Sequence, residues 1–269
     1  MDIKFERNRI QEYLEKVIDP NFTSSDDKAK NNQFKMKAER YILNAVDESK
    51  MESLIKKDAE DYLFSASVSF FNALQNITER NYSWATVELY YVLYYLFRVK
   101  LHYEKVAIFR AKGQIYYLEI KKGNAIHSVK GNTHEGVIAI FRKMFPSDLI
   151  FSNTIDLADS VEWIKQNREI VNYRSVNFTE PKCFIFFDKY CSLPLLQKNL
   201  QMLINDSSFV FAFQPEFAML GIPLLLLTDI TKTYLLQMNH IFSTEKLEYI
   251  NSIIDELSIE FIKPVLHLA

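Results

Sequence analysis

Glycine is scarce in this 269-residue chain, with 5 residues, and proline with 7. Gly113, Gly123, Gly131, Gly136 and Gly221 nowhere fall into a GxGxxG or a P-loop, which excludes the glycine-rich phosphate loops of nucleotide-binding α/β folds. So few chain breakers favour long helices. Cysteine is limited to Cys183 and Cys191, eight apart, with no CxxC and no helper histidine nearby. The pair predicts two buried thiols in a reducing compartment, not a zinc site. Charge of one sign is also lacking. The 32 basic and 34 acidic residues leave a formal net charge of -2, so nucleic acid could be held only by a local patch. No apolar run opens the chain, so no secretory signal is expected. The strongest apolar stretch, MLGIPLLLLT from Met219 to Thr228, is shorter than the roughly 20 residues a membrane span needs. A cytoplasmic protein with no membrane partner is the expectation.

What is present is a large apolar supply, 48% of residues, with 21 Phe and 15 Tyr, enough for a substantial core. Residues 1–19 carry Ile3, Phe5, Ile10, Tyr13, Leu14 and Val17 at roughly helical spacing. Pro20 and NFTSSDDKAKNN then predict a mobile linker, and 34–45 reads equally as strand or helix. A long helical region follows from Glu48 to Thr78, with a break near Lys57. Tyr62, Leu63, Ala66, Phe70, Phe71 and Leu74 share one face of it. Asn81, Tyr82 and Ser83 supply a turn and a cap for SWATVELYYVLYYLFRVKLHY, Ser83 to Tyr103. QIYYLEIKKGNAIHSV, 114–129, reads as a β-hairpin turning at KKGN. Helices are further predicted over 131–145, 158–174, 195–204, 215–238 and 244–262. Leu220, Leu224, Leu226, Leu235 and Leu236 are expected in the core. The fold class is mainly α, an up-and-down helical bundle with a small inserted β-hairpin and extra C-terminal helices.

The leading site candidate is the helix end VEWIKQNREIVNYR. Arg168 and Asn172, four apart, share a face, while Tyr173 diverges from Arg168 unless the helix ends there. Guanidinium groups of Arg168 and Arg174 suit a phosphate, and Asn172 and Tyr173 can donate to an oxyanion. Tyr173, with an ordinary pKa of about 10, is a poor general base. An ordinary basic helix end, paired with Glu162, Glu169 or Glu180, is the alternative. His134, beside Glu135 at the start of a helix that Asn132 or Thr133 can cap, is either a second catalytic candidate or a cap histidine. His127 either lines a groove or decorates the surface. His102 reads as a helix-end residue, and His240 and His267 have no helpers. Asp58, Glu60 and Asp61 read as a solvated face. No HExxH and no carboxylate cage suggests a metal or cofactor. Tyr90, Tyr91, Tyr94 and Tyr95 suit core packing better than base stacking. Arg98 and Lys100 could supply positive charge to a cleft, and Arg110, Lys112, Lys121 and Lys122 either form a basic edge beside the hairpin for RNA phosphates or are scattered surface charge.

WATVELYYVLYYLFRVKL, THEGVIAIFRKMF and REIVNYR together resemble the HEPN superfamily, over roughly residues 58–178. The resemblance implies an up-and-down bundle, a homodimer, and metal-independent endoribonuclease activity of the kind found in toxin–antitoxin, abortive-infection and CRISPR-associated systems. It gives Arg168 the place of the family arginine. The histidine that follows in the family falls here at Tyr173, Arg174 or Ser175, none of which is a histidine.

The chain then divides into an N-terminal helix and linker (1–33), a HEPN-like bundle (34–190) and a C-terminal helical extension packed on it (191–269). Three functions are open. The first is an RNA-binding protein of a bacterial defence or toxin-type system, with Arg168, Asn172, Tyr173 and His134 catalytic and Arg174, Arg98, Arg110, Lys121 and Lys122 on RNA. The second is a non-catalytic interaction or scaffold subunit with a protein partner. The third is a small-molecule or nucleotide sensor.

Overall fold

The computed structural model describes residues 7–23, 28–175, 177–238 and 242–268, with side chains at all of these except 235–238. The chain is a mainly α-helical bundle with a small inserted sheet and additional C-terminal helices, as predicted. It divides into two compact units, Met1–Tyr62 with Phe97–Met144, and Leu63–Leu96 with Phe145–Ala269.

The first unit holds α1 (Arg9–Ile18), α2 (Lys28–Arg40), the start of α3 (Ala45–Thr78) and the end of α4 (Tyr82–Tyr103). It also holds β1 (Val106–Ala111), β2 (Gln114–Glu119), β3 (His127–Val129) and α5 (Thr133–Met144). On α1 the spacing of Ile10, Leu14 and Ile18 buries one stripe, while Ile3 and Phe5 lie outside the described residues. Asn8 caps this helix by accepting from the Gln11 N–H at 2.7 Å. A second cap comes from α3. Asp58 accepts from the Arg9 and Ile10 N–H groups at 3.1 and 2.9 Å. Asp58 is only 2% exposed, which corrects its assignment to a solvated face. Burial raises its carboxyl pKa, opposed by those two N–H donors and Arg9.

Part of the expected linker is helix, since α2 begins at Lys28. Only Phe34 and Ala38 on α2 are buried, too few to show a period. The expected break near Lys57 is absent, and α3 runs unbroken for 34 residues. The expected hairpin is a three-stranded antiparallel sheet in the order β1-β2-β3. Its tight turn is Lys112–Gly113, both at positive φ (51° and 76°), and KKGN lies in the later β2–β3 connection. β1 shows no period-2 signal because both of its faces are covered. On one face Phe109 pairs with Tyr116, rings 5.1 Å apart, within a cluster containing Ile10, Leu14 and Phe34. On the other, Ile115 meets α5 at Gly136, where an added Cβ would lie 2.7 Å from Ile115 Cδ1.

The second unit holds the rest of α3 and α4, a short hairpin of β4 (Thr154–Ile155) and β5 (Ala158–Asp159), and α6 (Ser160–Glu169). α7 (Leu193–Asn205), α8 (Ser208–Phe211), α9 (Pro215–Met238) and α10 (Thr244–Glu256) complete it. The β4–β5 hairpin and α8 have no counterpart in the sequence reading. α4 starts where Glu180 accepts from the Ser83 N–H at 2.6 Å and the Ser83 hydroxyl at 2.8 Å. Leu220, Leu224 and Leu226 of α9 are buried, and the Leu235 and Leu236 side chains lie outside the description. By length and composition the segment Pro215–Tyr234 is apolar enough to cross a membrane, longer than the ten-residue run read from sequence, and 72% of its apolar window is buried. Cys183 and Cys191 are free thiols, half-buried rather than buried.

Candidate functional site

α6 positions the site. Its N-terminus is capped by Asp159, which accepts from the Val161 and Glu162 N–H groups at 3.1 Å. Val161, Trp163 and Ile164 bury its inner side, and Trp163 Nε1 donates to Asp156 at 2.9 Å. The helix does not stop at Glu169. It widens into one π-helical turn, Ile170–Arg174, closed by the Ser175 N–H to the Ile170 carbonyl at 2.9 Å.

That turn changes which residues meet. In a regular α-helix, residues five apart diverge by about 140°. Here the wider turn brings Tyr173 over Arg168, whose guanidinium carbon lies 5.1 Å from the ring centroid. The same spacing joins Arg174 to Glu169 at 3.2 Å. From α4, Tyr90 and Tyr91 complete an aromatic cage around Arg168, at 5.1 and 5.9 Å. Tyr91 in turn contacts Tyr94 and Tyr95, at 6.4 and 5.9 Å. Burial pushes the Tyr90 phenol up, and Arg168 opposes that shift.

Arg168 is half-buried. Its Nε is sealed from solvent without an acceptor. Among the described residues its guanidinium makes ring contacts but no hydrogen bond or ion pair. Asn172 is half-buried, and its side chain is unbonded among the described residues. Tyr173 is 71% exposed. Core packing holds for Tyr90, whereas Tyr91, Tyr94 and Tyr95 are half-exposed. Trp84, Ile170 and Phe178 of the same unit are exposed, with Trp84 and Phe178 edge-to-face at 6.2 Å. Trp84 and Tyr91, seven apart on α4, share a face. Sequence spacing pointed to Arg168, Tyr173 and Asn172. It could not show that Tyr90 and Tyr91 are the rings that hold the arginine.

His134 and the remaining basic candidates belong to the first unit. His134 lies in the first turn of α5. Beside it Asn132 and Glu135 form a reciprocal capping box, with N–H to carboxylate or amide distances of 3.2 and 3.0 Å. Arg98 is corrected from an RNA contact to a core residue. It is 4% exposed, donates to the Ile108 carbonyl at 3.0 Å, and lies 4.7 Å from the Tyr62 ring centroid. His102 lies in the last turn of α4, as read from the sequence, and is buried with neither ring nitrogen hydrogen-bonded. Burial, then the nearby Arg98 charge, lowers its pKa well below the ordinary value. Arg110, Lys121 and Lys122 are exposed, and Lys100 lies over the Phe141 ring at 5.7 Å. His127 stacks on Tyr117 at 5.1 Å, and Lys143 donates to the Tyr117 hydroxyl at 2.7 Å. His267 is half-buried, and His240 lies outside the described residues. Among the described residues no three His, Cys, Asp or Glu side chains gather as a metal site would require.

No known family, no curated protein and no solved structure matches this chain. That finding overturns the expectations of HEPN membership, RNA binding, endoribonuclease activity, antiviral defence and a toxin–antitoxin role, and they are withdrawn.

Proposed function

We propose that this chain is a cytoplasmic, non-catalytic interaction subunit that binds a protein partner through the Arg168–tyrosine surface of the second unit. One observation carries the reading. A half-exposed guanidinium is held by three aromatic rings, and its donors have no acceptor among the described residues. Such an arginine is oriented before binding, so little side-chain freedom is lost when a partner carboxylate arrives. Exposed Tyr173 over the arginine, and exposed Trp84 and Phe178 in the same unit, supply the aromatic composition of interface hot spots. Arg174 contributes less, because Glu169 already pairs with it.

The test is tagged full-length protein recovered from its own cells with crosslinking, the crosslinks then mapped. A stoichiometric protein partner should crosslink within 84–95 and 168–178. Arg168→Ala and Tyr173→Ala should each release it, while Lys121→Ala should not. Crosslinks confined to other segments, or partner capture unchanged by both substitutions, would refute the proposal.

A further inference from the structure

A second feature lies within the second unit, in the segment between α6 and α7, and does not depend on the partner surface. The chain has 2 cysteines, Cys183 and Cys191, and both stand in this segment. Hydrogen bonds three residues apart wind it, from the Phe187 N–H to the Phe184 carbonyl and from the Tyr190 N–H to the Phe187 carbonyl, each at 2.8 Å. Phe186, Phe187 and Tyr190 are buried by that winding, while the two cysteines at its ends stay half-exposed. Cys191 Sγ donates to the Asp188 carbonyl at 3.3 Å, and the Asp188 carboxylate accepts from the Cys183 thiol. Cys183 Sγ also lies 3.4 Å from the Phe184 carbonyl. From α4 the Tyr82 hydroxyl donates to Cys183 and lies within electrostatic reach of Cys191. The two thiols therefore share Asp188 and Tyr82 as neighbours. Burial pushes the Cys183 thiol up to about 11, opposed by the Tyr82 hydrogen bond and reinforced by Asp188 and Cys191. Cys183 thus stays protonated near neutral pH.

We propose that Cys183 and Cys191 are an oxidative modification site, a dithiol that a hydroperoxide closes to an intramolecular disulfide. The Cys191 sulfur attacks a peroxide oxygen and the O–O bond breaks. Water or an alcohol leaves with the thiol proton, and Cys191 becomes a sulfenic acid. The Cys183 sulfur then attacks the Cys191 sulfur, and the S–O bond breaks. The Cys183 proton passes to the Asp188 carboxylate and leaves with the hydroxyl as water. Two thiols are oxidised to one disulfide, and one hydroperoxide is reduced. The order follows from the surroundings. Attack on peroxide needs a thiolate, and Cys183 is held as the thiol, so it is the second sulfur to react. In a reducing compartment such a bond is transient and reports oxidation. It would join the segment that caps α4 through Glu180 to the start of α7.

The folded full chain is treated with hydrogen peroxide, alkylated under denaturing conditions and mapped by peptide mass spectrometry. Free thiols should fall from 2 per chain to none. The peptides carrying Cys183 and Cys191 should be joined within a single chain that has lost two hydrogen atoms, and dithiothreitol should restore both thiols. Cys183→Ser should accumulate a Cys191 sulfenic acid that dimedone traps and that the wild type does not hold. Cys191→Ser should keep its Cys183 thiol. Circular dichroism checks that both variants fold. Retention of both thiols in the wild type, disulfides only between chains, or sulfinic acid at Cys191 with no S–S bond would overturn the proposal. Loss of the Cys183 thiol from Cys191→Ser at the wild-type rate would overturn the order of attack.

Discussion

Arg98 in the first unit and Arg168 in the second both rest on tyrosine rings, and they serve opposite ends. Arg98 is 4% exposed, lies over Tyr62, and donates to the Ile108 carbonyl of β1. Arg168 is half-exposed, is held by Tyr90, Tyr91 and Tyr173, and donates to no acceptor among the described residues. The ring contact is common to both and modest in each, about 0.5 to 1 kcal/mol at exposed sites and about 2 when desolvated. The difference lies in where the five guanidinium donors can go. A buried arginine donates inside the fold, here through Nη2 while its Nε stays without an acceptor, and becomes part of the architecture. A half-exposed arginine fixed by rings keeps donors for something outside.

Substitution of each arginine separates these roles most sharply. Arg98→Ala should lower the free energy of unfolding by about 3 kcal/mol, since it leaves a cavity and an unpaired Ile108 carbonyl. Urea denaturation followed by circular dichroism measures it. A loss as small as that of an exposed residue would mean that Arg98 is not an architectural element.

The pH dependence of the same neighbourhood comes next. His102 is buried without a hydrogen bond beside Arg98, and its folded pKa is lowered. The neutral ring therefore favours the fold, fully so above the unfolded value of about 6.5. As pH falls below that value the unfolded chain takes up a proton that the folded chain resists, and stability declines. Urea midpoints at a series of pH values from neutral to mildly acidic should fall for the wild type. They should fall less for His102→Phe, and an identical slope in the two proteins would remove His102 as the cause.

Arg168→Ala should change stability by less than about 1 kcal/mol. Its effect should fall on binding, with partner affinity weakened at least about tenfold, read by titration of the captured partner. A large stability loss with binding intact would make Arg168 a second Arg98.

The smallest effect comes from the two tight turns. Lys112–Gly113 and Asp156–Leu157 are each two-residue turns with positive φ throughout, 51° and 76° against 50° and 68°. The first has glycine at its second position. The second has a leucine that is 98% exposed. An L side chain in the left-handed region costs roughly 1 to 2 kcal/mol. Leu157→Gly should therefore raise the thermal midpoint, by about 0.5 to 1 kcal/mol in stability after the entropy of glycine is offset. Gly113→Leu should lower it by a similar amount. A neutral Leu157→Gly would show that the tip conformation relaxes without cost.

Much of the helical fold was legible because packing leaves a period. Ile10 and Leu14 on α1, and Leu63, Ala66, Phe70 and Leu74 on α3, repeat every three or four residues and are buried. α2 was hidden because only Phe34 and Ala38 touch the core, so its pattern is almost wholly polar. β1 was hidden for the opposite reason. Its two faces are both covered, and alternation disappears when neither side meets water. Asp58 was unreadable as a cap, because the N–H groups it satisfies lie 48 and 49 positions away.

The site shows the same boundary. Composition and spacing by themselves determined a mainly helical chain, a helix end rich in Arg168, Asn172, Tyr173 and Arg174, and an aromatic α4. These follow from local periodicity and side-chain chemistry. Only the tertiary structure decided that Arg98 is sealed in the core while Arg168 is half-open, and that Tyr173 turns back over the arginine. The first depends on what distant segments cover. The second depends on one π-helical turn, a hydrogen-bond shift of a single residue that leaves no period in the sequence.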